Sequence, residues 1–135
     1  MKYNIIDIQG VGEVYAEKLI AAGIVTVDQL LEAGATAKGR KELAEATGIS
    51  GKLILTWVNH ADLFRINGVG PQFSELLEAS GVDTVKEFAL RNAENLAKKM
   101  LEVNEEKHLT KRVPTAVEIQ RFIDQAKVLE PKVTY

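Results

Sequence analysis

The 135-residue sequence contains no cysteine. That excludes disulfides, thiolate metal sites and cysteine nucleophiles together. It has only two histidines, so imidazole chemistry rests on His60 or His108. A basic excess is also missing: 17 Lys and Arg stand against 19 Asp and Glu, for a net charge of -2. Proteins that coat nucleic acid usually draw their affinity from such an excess, so any contact of that kind must be local. No apolar run approaches the ~20 residues of a membrane span, and the run before Asp7 in "MKYNIIDIQG" is too short for a signal peptide. The expectation is a cytoplasmic protein with no membrane contact. With three prolines, 46% hydrophobic and 27% charged residues, the composition is that of a folded chain throughout.

What is present is a repeat. At a shift of 58 residues "GVGEVYAEKLIAAGIVTVDQL" lies over "GVGPQFSELLEASGVDTVKEF" without a gap. Gly10, Val11 and Gly12 fall over Gly68, Val69 and Gly70, Tyr15 over Phe73, Leu19 over Leu77 and Gly23 over Gly81. The ends of the halves match at a shift of 65, pairing Ile54 with Ile119, Trp57 with Phe122 and Ala61 with Ala126. The sequence therefore reads as two similar modules, 1–61 and 62–135, with an insertion near 91–113. The short "NHADLFRI" joint implies that they pack closely.

Each module reads as four or five short helices. Ala16, Leu19 and Ile20 have helical spacing, and Gly23 suits the position just past a helix end. "TVDQ" at Thr26, "TVKE" at Thr84 and "TAVE" at Thr115 have the form of capping boxes. Ile54, Trp57, Val58 and Ala61 make the stripe of a core-facing helix, with Trp57 and Phe122 as core anchors. "AENLAKKMLEVNEEKHLTKRV" reads as one long helix or a broken pair. Only "YNIIDI" hints at a strand, so the class is all-α.

Glycine takes positive φ without steric cost, and its bare backbone permits close approach. A turn spelled "IQGVG" or "INGVG" ahead of a helix presents amides at a helix N-terminus, where the macrodipole favours an anion such as phosphate. This spelling resembles the hairpin of the helix-hairpin-helix family. The resemblance implies a duplicated helix-hairpin-helix bundle, similar to a group of small bacterial proteins of two such modules with no established function. It further implies that main-chain amides grip nucleic-acid backbone without reading bases. Those donors would be Gly10, Gly12, Val14 and Tyr15, and Gly68, Gly70, Gln72 and Phe73. The family sometimes holds a monovalent cation on turn carbonyls, here those of Ile6, Ile8 and Val11, and of Phe64, Ile66 and Val69. No other cofactor and no metal site are expected.

The charges rank the two turns. Glu13 and Glu17 beside the first would repel phosphate, with Lys18 the only nearby cation. The second, Gly68–Val69–Gly70, is preceded by Arg65 and followed by neutral Pro71 and Gln72, although Glu75 and Glu78 come next. Basic residues gather at Lys38, Arg40 and Lys41 before one helix, at Lys52, and at Lys98, Lys99, Lys107, Lys111 and Arg112 in the insertion. Solvated helix faces carry such Lys/Glu mixtures too.

No catalytic constellation is visible. His60 lies on a core-reading helix, His108 sits in a charged run, and neither has the partners of a nucleophile or zinc site. No Walker-type lysine follows either GVG. The expectation is a non-enzymatic module that binds nucleic-acid backbone, chiefly through the second turn with Arg65, Lys111 and Arg112. The alternative is a protein-interaction or self-assembly scaffold that pairs with copies of itself.

Overall fold

A helix leaves its first N–H groups without intrahelical partners, and a hydroxyl or amide side chain at the N-cap can accept from one of them. The computed structural model describes residues 3–135 and places eight helices among them. These are α1 (Gly12–Ala21), α2 (Val27–Gly34), α3 (Ala37–Thr47), α4 (Gly51–Leu63), α5 (Pro71–Ala79), α6 (Val85–Phe88), α7 (Ala93–Lys107) and α8 (Ala116–Val128). Thr26, Thr36, Thr84, Asn92 and Thr115 each cap a helix by accepting from its third residue's N–H. Ser50 accepts from the Leu53 N–H at the start of α4. At Thr26 and Thr115 the box closes in both directions, while at Thr84 only the hydroxyl bond forms. The helices that follow the two GVG turns, α1 and α5, have no side-chain cap.

Both of these helices end alike. Ile24 N–H donates to the Leu19 carbonyl and Gly23 N–H to that of Ile20; Val82 and Gly81 repeat this on Leu77 and Glu78, at 2.9–3.0 Å. This six-to-one and five-to-two pair satisfies the last free carbonyls of a helix. The fold is all-α. "YNIIDI" forms a single 3₁₀ turn, Ile5–Asp7, and among the described residues its only sheet-like pairing is an isolated bridge from Asn4 to Thr26. "AENLAKKMLEVNEEK" is one helix, ended by His108 at φ 52°. Asn104 then fastens the chain beyond it, accepting from the Thr110 N–H and donating to the Thr110 carbonyl, both at 2.9 Å.

The chain divides into two compact units. The first runs to Asp62 and takes in Lys132–Tyr135; the second is Leu63–Pro131. The sequence assigns residues 132–135 to the second module, but they belong to the first unit because the Thr134 N–H donates to the Ala35 carbonyl (2.8 Å) and Arg40 donates to the Thr134 carbonyl (2.5 Å).

In the first unit α3 packs on α1 and α2, and Ile5, Ile8, Val11, Leu19, Leu30, Ile54 and Trp57 are buried. Arg40, expected on a basic surface ahead of a helix, lies inside α3 and is 7% exposed. In the second unit α7 and α6 pack on α8, and α5 on α7. Ile66, Val69, Leu76, Phe88, Leu96, Met100, Phe122 and Ile123 share its core. Phe88 and Phe122 meet edge to face, with centroids 6.4 Å apart.

Gly10 (φ 90°) and Gly68 (φ 99°) both occupy the left-handed region, but their surroundings differ. A Cβ on Gly68 would lie 2.8 Å from the Phe122 ring, whereas one on Gly10 would meet only the Trp57 Nε1 at 3.9 Å. Gly10→Ala is expected to cost about 1–2 kcal/mol, from backbone conformation alone. Gly68→Ala should cost roughly 1–3 kcal/mol more, because the packed ring must move. Urea midpoints followed by circular dichroism would check this; equal losses would contradict it.

Candidate functional site

The two GVG turns are closed by the same bond. Val11 N–H donates to the Ile8 carbonyl (3.2 Å) and Val69 N–H to the Ile66 carbonyl (3.1 Å). All four side chains are 1% exposed, so each turn is pinned from beneath by two apolar residues, while Gly10, Gly12 and Gly68 are exposed and Gly70 is half-buried. The third position separates the turns. Gly12 has φ 65° and is the first residue of α1, whereas Gly70, at φ -106° and ψ -170°, is the extended N-cap of α5. Pro71 follows at N1, where its missing N–H costs nothing.

At the first turn Val14 is 68% exposed and Tyr15 half-buried. The Tyr15 ring is tilted on Trp57, with centroids 5.2 Å apart, and Lys18 Nζ lies 6.0 Å above it. Tyr15 is thus engaged with the core tryptophan. Glu13 and Glu17 are exposed on the same helix. Lys52, also in the first unit, is exposed in the first turn of α4.

The second turn is tied down more tightly. The Gln125 side chain on α8 accepts from the Asn67 N–H (2.9 Å) and donates to the Asn67 carbonyl (3.1 Å). Ser74 N–H donates to the Gly70 carbonyl (2.9 Å) and Ser74 Oγ to that of Pro71 (3.0 Å). Gln72 is exposed, and half-buried Phe73 packs against the core of its unit. Over its ring, 5.6 Å from the centroid, sits the Arg112 guanidinium. The end of the insertion, Lys111 and Arg112, is thereby brought to the start of α5.

Arg112 is shared. It donates from both terminal nitrogens to the Glu118 carboxylate, at 2.6 and 2.9 Å. Such a charge-assisted fork uses two of the five guanidinium N–H groups. Glu118 also accepts from the Thr115 N–H at 3.1 Å. The Arg112 hydrogen bonds, followed by that of Thr115, hold the Glu118 carboxyl down at about 2, and Glu118 raises Arg112 in turn. Arg65 takes another path: its guanidinium donates to the Glu130 carbonyl at 2.6 Å, which fastens the chain beyond α8. Lys111 is exposed. Of the carbonyls considered for a monovalent cation, those of Ile8 and Ile66 already accept the bond that closes each turn.

Sequence reasoning missed Gln125 and the Arg112–Glu118 pair. Glu118 was legible only as a capping-box residue, and nothing in the local pattern marks Gln125, which lies 58 residues from its partner.

The family model of a domain of unknown function, DUF4332, matches residues 9–129. The chain belongs to the DUF4332 family. No curated protein and no solved structure matches it. The DUF4332 span takes in both GVG triplets, all eight helices and the Arg112–Glu118 pair, and stops short of Ile8 and of residues 132–135. Among the described residues, no helix is long and apolar enough to cross a membrane.

The Glu118 carboxyl, lowered from 4.5 to about 2 in the folded chain, stabilises the fold above its unfolded pKa, and that contribution is lost as pH falls through the folded value. Glu118→Gln is therefore expected to be less stable than the native chain near neutrality, with the gap closing between pH 4.5 and about 2. Urea midpoints across that range test it. A gap that does not change with pH would refute this account of the pair.

Proposed function

We propose that this DUF4332 protein is a non-catalytic cytoplasmic module of helix-hairpin-helix type, contacting nucleic-acid backbone phosphates without sequence preference. One observation carries the reading: Arg112 lies over Phe73, so the cationic end of the insertion stands beside the N-terminus of α5, which lacks a side-chain cap. An uncapped helix start offers amides and a positive dipole end to an anion. Arg112 adds the guanidinium donors that Glu118 does not take, and Lys111 adds a flexible charge. Gly70, Gln72 and Phe73 supply the main chain, and Gly68 and Val69 shape the turn. Gly10, Gly12, Val14 and Tyr15 play a lesser part, because Glu13 and Glu17 oppose phosphate there. Arg65 contributes by fixing the chain beside the turn.

Contact limited to one turn and two or three cations implies weak, salt-sensitive binding. A log-log salt slope of about -2 to -3 is expected, at roughly -0.9 per phosphate on B-DNA. A protein partner is the second reading, favoured at the first turn by exposed Val14 between the carboxylates of Glu13 and Glu17.

Gly70 offers a clean test. Its φ of -106° and ψ of -170° are open to any residue, and aspartate is a favoured N-cap, so Gly70→Asp should raise stability by a few tenths of a kcal/mol. The same carboxylate would occupy the α5 amides and repel phosphate. Labelled single- and double-stranded DNA and RNA, titrated at low salt, should lose at least about tenfold in affinity with G70D, and less with G70S. Unchanged binding would remove the second turn from the interface. No binding by the native chain, together with a concentration-dependent rise in mass by light scattering, would favour the assembly scaffold.

A further inference from the structure

Arg40 is a buried charge of the first unit, and the backbone binding proposed above does not use it. Its guanidinium is buried and meets carbonyl oxygens: Gly34 at 2.8 Å, Ala35 at 3.1 Å and Thr134 at 2.5 Å. The first two belong to the end of α2, where carbonyls lack helical partners and favour a cation. The third belongs to the segment Lys132–Tyr135. A buried guanidinium needs its hydrogen bonds filled, so the place held by the Thr134 carbonyl requires an occupant.

The segment is gripped as a peptide is gripped. Thr134 is held through its main chain on both sides, its N–H donating to the Ala35 carbonyl at 2.8 Å and its carbonyl accepting from Arg40, and its hydroxyl also donates to the Ala35 carbonyl at 3.4 Å. Main-chain bonds of this kind give affinity without regard to side chain, and the flanking residues give selectivity. Val133 is buried at 9% exposure. Two residues on, the Tyr135 ring lies 5.7 Å from the Arg40 guanidinium, and its hydroxyl donates to Asn59 at 3.4 Å. Thr134 itself is exposed. The segment is reached through exposed Glu130, Pro131 and Lys132, and Pro131 has no N–H to bind anything. Beyond the Arg65 bond to the Glu130 carbonyl, its docking rests on residues 133–135.

We propose that the first unit carries a recognition site for an extended peptide, built on Arg40, Ala35 and Asn59 and filled in this chain by its own residues 133–135. The fitting partner is an extended segment of another protein with a β-branched apolar residue, a hydroxyl-bearing residue, then an aromatic one. The chain's own segment holds the site closed by virtue of its tether, which supplies an effective concentration in the millimolar range. A partner segment gains entry when that tethered occupant lets go.

The test uses the full chain and a fluorescently labelled, amidated peptide spanning residues 129–135. Val133→Asp and Thr134→Pro each weaken the tethered occupant, one by charging a buried position and the other by deleting the N–H bonded to Ala35. Both variants are expected to bind the peptide at least tenfold more tightly than the native chain, by anisotropy. Arg40→Lys placed in either background should abolish that gain, because an ammonium cannot span the three carbonyls as the fork does. Binding that is no tighter than in the native chain, or that survives Arg40→Lys, overturns the proposal. Hydrogen exchange on the native chain gives an answer even if the variants fold poorly. The Thr134 amide should exchange well before the amides of α1 and α4; exchange only together with them would make residues 132–135 a fixed part of the fold.

Discussion

The closing bond of each GVG turn is the constraint from which the two units are built. Val11 and Val69 reach back to the carbonyls of Ile8 and Ile66, and the same residues send their side chains into the cores. One tight bend therefore does two things, which ordinarily need separate residues. It reverses the chain, and it drives a pair of apolar anchors inward. Glycine at positive φ is what lets the bend close without strain. Because that bend leads straight into a helix, no threonine or asparagine stands at the N-cap, and α1 and α5 keep the open starts that the other helices lose to side chains.

Charge is then distributed around these fixed points in two ways. At the second turn Arg112 is stacked on Phe73 and forked to Glu118, a surface arrangement that leaves part of the guanidinium facing water. In the first unit Arg40 is removed from water and matched to carbonyl dipoles. Two arginines of identical chemistry thus serve opposite ends, because a buried guanidinium must have its partners built around it and an exposed one need not. Two of the basic residues that crowd the sequence are committed within their own units: Arg40 is internal and Arg65 is bonded to a backbone carbonyl.

Much of the helical frame was legible because its signals are local. The boxes at Thr26 and Thr115 are three-residue geometries, and Gly23 and Gly81 end their helices through bonds spanning five residues. Trp57 and Phe122 stand buried where the apolar stripes put them. Two readings remained open or went astray for equally local reasons. The insertion contains no Gly or Pro between Ala93 and Lys107 to decide between one helix and two, and His108 in the left-handed region ends it without advertising the fact. "YNIIDI" has the apolar run of a strand but becomes a 3₁₀ turn, and its backbone pairs with the short stretch Val25–Val27, through the Ile5 N–H to Val25 and the Val27 N–H to Tyr3.

By itself the sequence determined the helical class, the capped helix starts and the bends at the two glycine pairs, since each depends on residues within a few positions of one another. Only the tertiary structure decided which charges remain available. Arg40 is buried with one of its carbonyl partners, Thr134, 94 residues away, and Gly68 is hemmed in by Phe122 on α8. The reason is that burial, unlike backbone conformation, is set by whatever else the chain brings to the same place.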